Sequence, residues 1–163
     1  MQTSTPIPRA EHPRPQFFRP TWLNLNGSWQ FEVDRGDSGL ERGLRTWDLA
    51  GEIVVPFCPE SELSGIGDTD FLEAVWYRRR VLLPAEWAGQ RILLHFGAVD
   101  HDATVWVGDH EVGRHRGGFS SFTLDITDAV DSGAYGDERD GAHRGGRDEI
   151  TIVVRARDTI HAV

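Results

Sequence analysis

The chain has 163 residues, 39% of them apolar apart from its eighteen glycines, and seventeen basic against twenty-six acidic side chains give it a net charge of −9. That is the length of about one domain with a single full core, a composition unlike that of disordered chains, and a charge of the wrong sign for phosphate backbones or anionic lipid. Nucleic acid and membranes are therefore not expected partners, and no run approaches the eighteen or so apolar residues needed to span a bilayer. All seventeen basic residues are arginine. No apolar leader is visible in the first residues, and Cys58 stands alone, so a reducing cytoplasm is the expected setting and a small buried hydrophobe the expected role for Cys58.

Five of the eight prolines fall at positions 6, 8, 13, 15 and 20. Residues 1–20 therefore read as an extended arm, short of the donors a sheet interior needs and draped over a domain that occupies 21–163. From Trp29 the apolar pattern has a period near two: Trp29-Phe31-Val33, Ile53-Val55, and Val75-Tyr77 running on to Val81-Leu82-Leu83. The unbroken run Ile92-Leu93-Leu94 with Phe96 predicts a central strand covered on both faces. Further strands are expected at 103–107, 110–114, 122–126 and 150–154. Only PAEWAG, 84–89, and DITDAV, 125–130, suggest helix, a turn or two each. Residues 132–148, rich in glycine and charge without periodicity, read as a flexible surface loop. The pattern predicts an all-β fold of sandwich or barrel type.

Residues 97–118, GAVDHDATVWVGDHEVGRHRGG, hold three histidines and four carboxylates. Gly108-Asp109 reads as a two-residue hairpin turn, since glycine accepts the positive φ that primed turns require. The register then sets Val107 against His110, Val105 against Val112 and Ala103 against Arg114 on one face; on the other it sets Trp106 against Glu111, Thr104 against Gly113 and Asp102 against His115. At about 3.3 Å per residue, His101 and His110 lie roughly 20 Å apart along the ribbon, and His115 projects from the opposite face. They cannot share a metal, so neither metal nor cofactor is expected. Asp102 and His115 should instead form a cross-strand pair, and Gly113 should leave room for the Trp106 indole.

The same stretch, with HPRPQF at 12–17, LNGSWQF at 25–31, VPFCPESELSGIG at 55–67, VWYRR at 75–79, LPAEWAGQRILLHFGAVD at 83–100 and EITIVVRARD at 149–158, resembles the N-terminal domain of glycoside hydrolase family 2. That family includes the β-galactosidases and β-glucuronidases. The resemblance implies a jelly-roll β-sandwich, galactose-binding-domain-like, with two antiparallel sheets. It also implies a non-catalytic role: the domain packs beside an immunoglobulin-like domain and a (β/α)₈ barrel, lends one edge of the sugar pocket, and leaves the two catalytic glutamates to the barrel. The residues agree with that division. Retaining glycoside hydrolysis needs two carboxyl groups about 5 to 5.5 Å apart. No such pair is evident: strand acids such as Glu32 and Asp125 read as single, solvated groups, so no catalytic residue is assigned. A barrel takes about 250 residues, more than this chain has.

The resemblance also points to sugar contacts. It places a sugar-contacting Asn of the β-galactosidases at the position of Ala74, just before VWYRR; Asp70 and Glu73 are the candidates to take its part. Asp158 matches an Asp that bonds a sugar hydroxyl there, and a carboxylate at that point can accept two hydroxyl bonds. A turn residue at a strand end is the other reading of Asp158, and both stay open. Trp22, Trp47, Trp76 and Trp87 are large enough to stack on a pyranose, but packing is their expected use. The expected function is that of a sugar-binding domain of a family 2 enzyme acting on a β-glycoside, a piece of such an enzyme or a truncated gene product, inactive alone. Its partners are carbohydrate and the missing immunoglobulin-like and barrel domains. The alternatives are a free-standing carbohydrate-binding module and a purely structural interaction module. Titration with glycosides separates the first two: no response in the millimolar range identifies the dependent domain.

Overall fold

The computed structural model describes residues 6–12, 14, 16, 19–132 and 149–158. Among them are eight strands: β1 (Gly27–Val33), β2 (Gly51–Val55), β3 (Ala74–Leu82), β4 (Leu93–Phe96), β5 (Asp102–Val107), β6 (His110–Arg116), β7 (Phe122–Asp125) and β8 (Glu149–Arg157). The described residues also include one short helix, α1 (Thr127–Asp131), and 3₁₀ turns at Glu62–Ser64 and Ala85–Trp87. Pro84 opens the second of these turns, as its fixed φ allows. The strands form a six-stranded sheet in the order β2-β1-β3-β8-β5-β6 and a two-stranded sheet β4-β7, every pairing antiparallel. This is a jelly-roll β-sandwich. The long 132–148 segment lies, from 133 onward, outside the described residues.

Alternation decides which side of each strand is buried. Val75, Tyr77 and Val81 of β3 lie opposite Ala156, Val154 and Ile150 of β8, and they pack with Leu94, Phe96, Phe122 and Leu124 of the small sheet into the main core. β8 is the central strand. Its Ile150, Ile152 and Val154 serve the main core, while Val153 faces the other way into a second cluster with Leu44, Leu49, Trp76 and Trp106. The expectation that 92–96 would be a central strand is corrected: among the described residues β4 pairs only with β7, Leu93 is 40% exposed and His95 is exposed. The apolar run there has another cause. Ile92 precedes the strand and is held against the start of α1, its N–H donating to Thr127 Oγ1 at 2.9 Å and its carbonyl accepting from Ile126 N at 3.0 Å.

The second cluster lies on the face of the large sheet turned away from β4-β7, and the segment between β1 and β2 covers it. Asp34 organises that cover. Its carboxylate, fully buried, accepts from Gly39 N at 2.7 Å, Ser38 N at 3.1 Å and the Trp76 indole N–H at 3.0 Å, and Trp76 stacks on Trp106 with 5.8 Å between centroids. The arm is tied to the start of β1 where it is described: the Asn24 and Asn26 amides donate to the carbonyls of Arg9 and Pro8 at 3.1 Å each.

The β5-β6 hairpin departs from its expected register. Gly108 does take a positive φ, 54°, and Val107↔His110 and Trp106↔Glu111 pair as anticipated. A bulge then intervenes: Val105 pairs with Gly113, leaving Val112 as the extra residue, and Thr104, Ala103 and Asp102 pair with Arg114, His115 and Arg116. The Asp102–His115 pair does not form. Gly113 turns toward the small sheet, where a Cβ would meet Leu124 Cδ2 at 2.5 Å, so the space it leaves belongs to Leu124 and not to Trp106. One consequence is local: Glu111 and Arg114, which would point to opposite faces of a regular strand, form a bidentate pair at 2.7 and 3.0 Å.

Two smaller expectations are also corrected. Cys58 is exposed, in the turn after β2. Glu32 and Asp125 are not single solvated acids: Glu32 pairs with Arg42, and Asp125 lies 2.7 Å from Arg91 Nε while accepting from Thr127 Oγ1 at 2.6 Å. The Thr127 hydroxyl, then Arg91, pull the Asp125 carboxyl down to about 2. Because the folded value is the lower one, this group favours the fold at neutral pH and loses that contribution as pH falls from near 3.8 toward 2. Thr127→Val should move the Asp125 midpoint back up toward 3.8 in an NMR titration; an unchanged midpoint would contradict the assignment.

Candidate functional site

At one end of the large sheet β1 leaves, β3 begins, β8 ends, β5 begins and β6 ends. Backbone hydrogen bonds lock these termini together in a row: Asp34 N to Ala74 O at 2.8 Å, Asp158 N to Glu73 O at 3.0 Å, His101 N to Arg157 O at 3.4 Å and Gly117 N to His101 O at 2.7 Å. Antiparallel pairing of Ala74 with Arg157 is what brings Glu73, before β3, beside Asp158, after β8, across eighty-odd positions of sequence. Glu73 is exposed and Asp158 partly so. Asp70 is placed differently: its N–H donates to Asp68 Oδ1 at 3.0 Å, and its carboxylate, 78% exposed, lies 3.9 Å from Arg35, which is itself bonded to Asp68 at 3.1 Å. So two of the three acids singled out from the sequence share a strand end, and the third belongs to the adjoining Arg35 turn. Ala74 is fully buried.

On the outer face of the same sheet end lies a cleft of about 300 Å³, lined by Leu40, Trp106, Thr104 and a set of alternating charges. Arg155 and Arg157 both reach Asp37, Arg157 at 3.1 Å; Arg114 holds Glu111, and Arg45 holds Asp109 at 3.1 Å. Burial works to raise the Asp37 carboxyl, but the two arginines outweigh it and leave it below the usual carboxylate value. The hydrogen bond from Arg114 likewise lowers Glu111. A general acid for glycoside cleavage needs a raised carboxyl. Both acids move the other way, so the cleft is a clamp of matched ion pairs. Sequence reading missed this cleft, although the spacing of Arg155 and Arg157, alternating with inward Val154 and Ala156, carried the signal.

The other candidates fall apart in space or into packing. Trp76 is fully buried, Trp87 packs against the main core and Trp22 sits edge-on to His12 at 4.6 Å, whereas Trp47 is 67% exposed. His110 lies at the hairpin turn, while His115 stacks on Phe122 at 4.2 Å and bonds Ser120 Oγ at 3.0 Å. Among the described residues no group of three or more His, Cys, Asp or Glu gathers in a way that could hold a metal ion, and no helix is long and apolar enough to cross a membrane.

Residues 68–136 of this antiparallel jelly roll match the family model described as "Glycosyl hydrolases family 2, sugar binding domain". The chain is identified as a member of that family, with the fold of its N-terminal domain. Its relatives are named enzymes. A β-glucuronidase of Paenibacillus borealis is 36% identical over 107 residues, which cover 64% of this chain and 18% of that protein. Among solved structures, a Lactobacillus rhamnosus β-glucuronidase superposes with a TM-score of 0.63 at 28% identity over 82% of this chain and 20% of that one. A Ruminococcus gnavus β-glucuronidase in complex with C6-substituted uronic isofagomine gives 0.64 at 25% identity, covering 82% of this chain and 21% of that one. The chain thus spans about a fifth of the length of these relatives.

Proposed function

We propose that the chain is the non-catalytic, sugar-contacting domain of a family 2 glycosidase acting on a β-glycoside. It forms the rim of a pocket whose catalytic glutamates stand on a (β/α)₈ barrel, with an immunoglobulin-like domain as the other neighbour. The observation that carries this reading is the backbone hydrogen bond from Asp158 N to the Glu73 carbonyl, which brings two acidic residues together at one strand end. Ionised carboxylates only accept, and each takes two hydroxyl donors, which suits the adjacent hydroxyls of a pyranose. They would repel a uronate's own carboxylate, so a uronide is met here through its hydroxyls. Asp70, held by Arg35, supports the loop that carries Glu73.

Methyl β-glucuronide and methyl β-galactoside titrated into the ¹⁵N-labelled chain test this. Shifts confined to the amides of Glu73, Ala74 and Asp158, growing without saturation above the millimolar range, are the expected result, with no turnover of chromogenic glycosides. Saturation within that range would make the chain a free-standing module. An absence of shifts at every concentration would leave a structural interaction module. Hydrolysis by the chain itself, abolished by replacing one of its own acids, would overturn the non-catalytic role.

A further inference from the structure

The loop between β6 and β7 presents one side chain in an unusual state: Phe119 is 99% exposed. Its neighbours are held. Gly117 N donates to His101 O at 2.7 Å, and Ser120 Oγ meets His115 Nε2 at 3.0 Å. Gly118 lies so close to Asp100 that a Cβ would stand 2.3 Å from its carboxylate oxygen. Behind the loop, His115, Phe122 and Phe96 form a stacked column with centroid spacings of 4.2 and 4.6 Å. A loose loop would let a phenyl ring fold back onto this column and escape water; a loop bonded at 117 and 120, with Gly118 packed close against Asp100, holds it out.

Two backbone bonds join this loop to the acidic strand end: Gly117 reaches His101, and His101 reaches Arg157, the residue before Asp158. A flat apolar face thus stands at the same sheet end as carboxylates able to accept hydroxyls. Pyranoses offer the complement, with C–H groups on one face and hydroxyls around the edge. We propose that Phe119 is a stacking platform for a pyranose ring whose hydroxyls are met by the acids of this end. The proposal rests on the sugar-contact reading of Glu73 and Asp158 and adds the ring that fixes the sugar's orientation.

Saturation-transfer NMR on the full chain with methyl β-glucuronide and methyl β-galactoside reads the contact directly, alongside the amide shifts of Glu73 and Asp158. The sugar C–H protons should take up saturation from an aromatic ring. Phe119→Ala should weaken that transfer about three- to tenfold, the size of an aromatic contact with a small ligand, at an unchanged melting temperature. Phe119→Leu should behave like alanine, and Phe119→Trp should restore the transfer. Unaltered transfer in Phe119→Ala, with the amide shifts still present, overturns the platform and leaves the ring to a protein contact. Transfer that depends on Phe119 without shifts at Glu73 and Asp158 sustains the platform and defeats the acid reading. No response of either kind defeats both.

Discussion

Asp34→Ala should lower the folding stability of this chain by about 3–5 kcal/mol, measured by urea denaturation. The loss has two parts. The carboxylate is fully buried and gathers the Trp76 indole N–H and the backbone N–H groups of Ser38 and Gly39. Alanine leaves those donors without an acceptor where water cannot replace it, at about 1–3 kcal/mol for each buried group. It also releases the covering segment from Trp76, and with it Leu44 and Leu49, whose packing on Trp76, Trp106 and Val153 makes the second cluster. Asp34→Asn keeps one acceptor oxygen and should cost less than half as much. A change below about 1 kcal/mol in the alanine variant would mean that the cover is held by other contacts. The Trp76 fluorescence should shift to the red in step with the loss.

Ala74→Asn carries the second large expected effect, and it probes function as well as stability. The resemblance to β-galactosidases sets a sugar-contacting Asn at this position, so the substitution looks like a restoration. The structure says otherwise. Ala74 has no exposed surface, its carbonyl is taken by Asp34 N, and it pairs with Arg157 in the middle of the row of strand ends. An amide there must be buried, with its volume added to a filled site, at about 2–4 kcal/mol for overpacking and incomplete hydrogen bonding together. The expected outcome is a markedly destabilised chain with no stronger response to galactosides. A stable Ala74→Asn variant with enhanced galactoside shifts would show that the strand end opens enough to admit the amide.

The strands were legible because alternation is a direct record of one buried face: Val75, Tyr77 and Val81 mark the inward side of β3 wherever its partners lie. The sequence could not show how a long segment between two strands would be used. Nothing in the neighbourhood of Asp34 signals that its carboxylate captures a tryptophan forty-two positions away. The run at 92–94 misled for a related reason, since an apolar residue just outside a strand and one inside it look alike. Asp158 was singled out by its matched position and Asp70 and Glu73 by lying just before Ala74, but only the pairing of β3 with β8 shows that Glu73 and Asp158 share a strand end while Asp70 stands apart. Phe119 was not weighed with the larger aromatics because its exposure is a property of the fold around it.

The extra residue in β6 gives this hairpin a tolerance that the other strands lack. Removing one residue elsewhere would exchange core-facing and solvent-facing groups along the rest of the strand. Here, excising Val112 would bring Glu111 and Gly113 into ordinary succession opposite Trp106 and Val105 and leave every later side chain on its present side. The register of the hairpin therefore survives a one-residue deletion at this point, and the interior gives up only the Val112 side chain that packs against the main core.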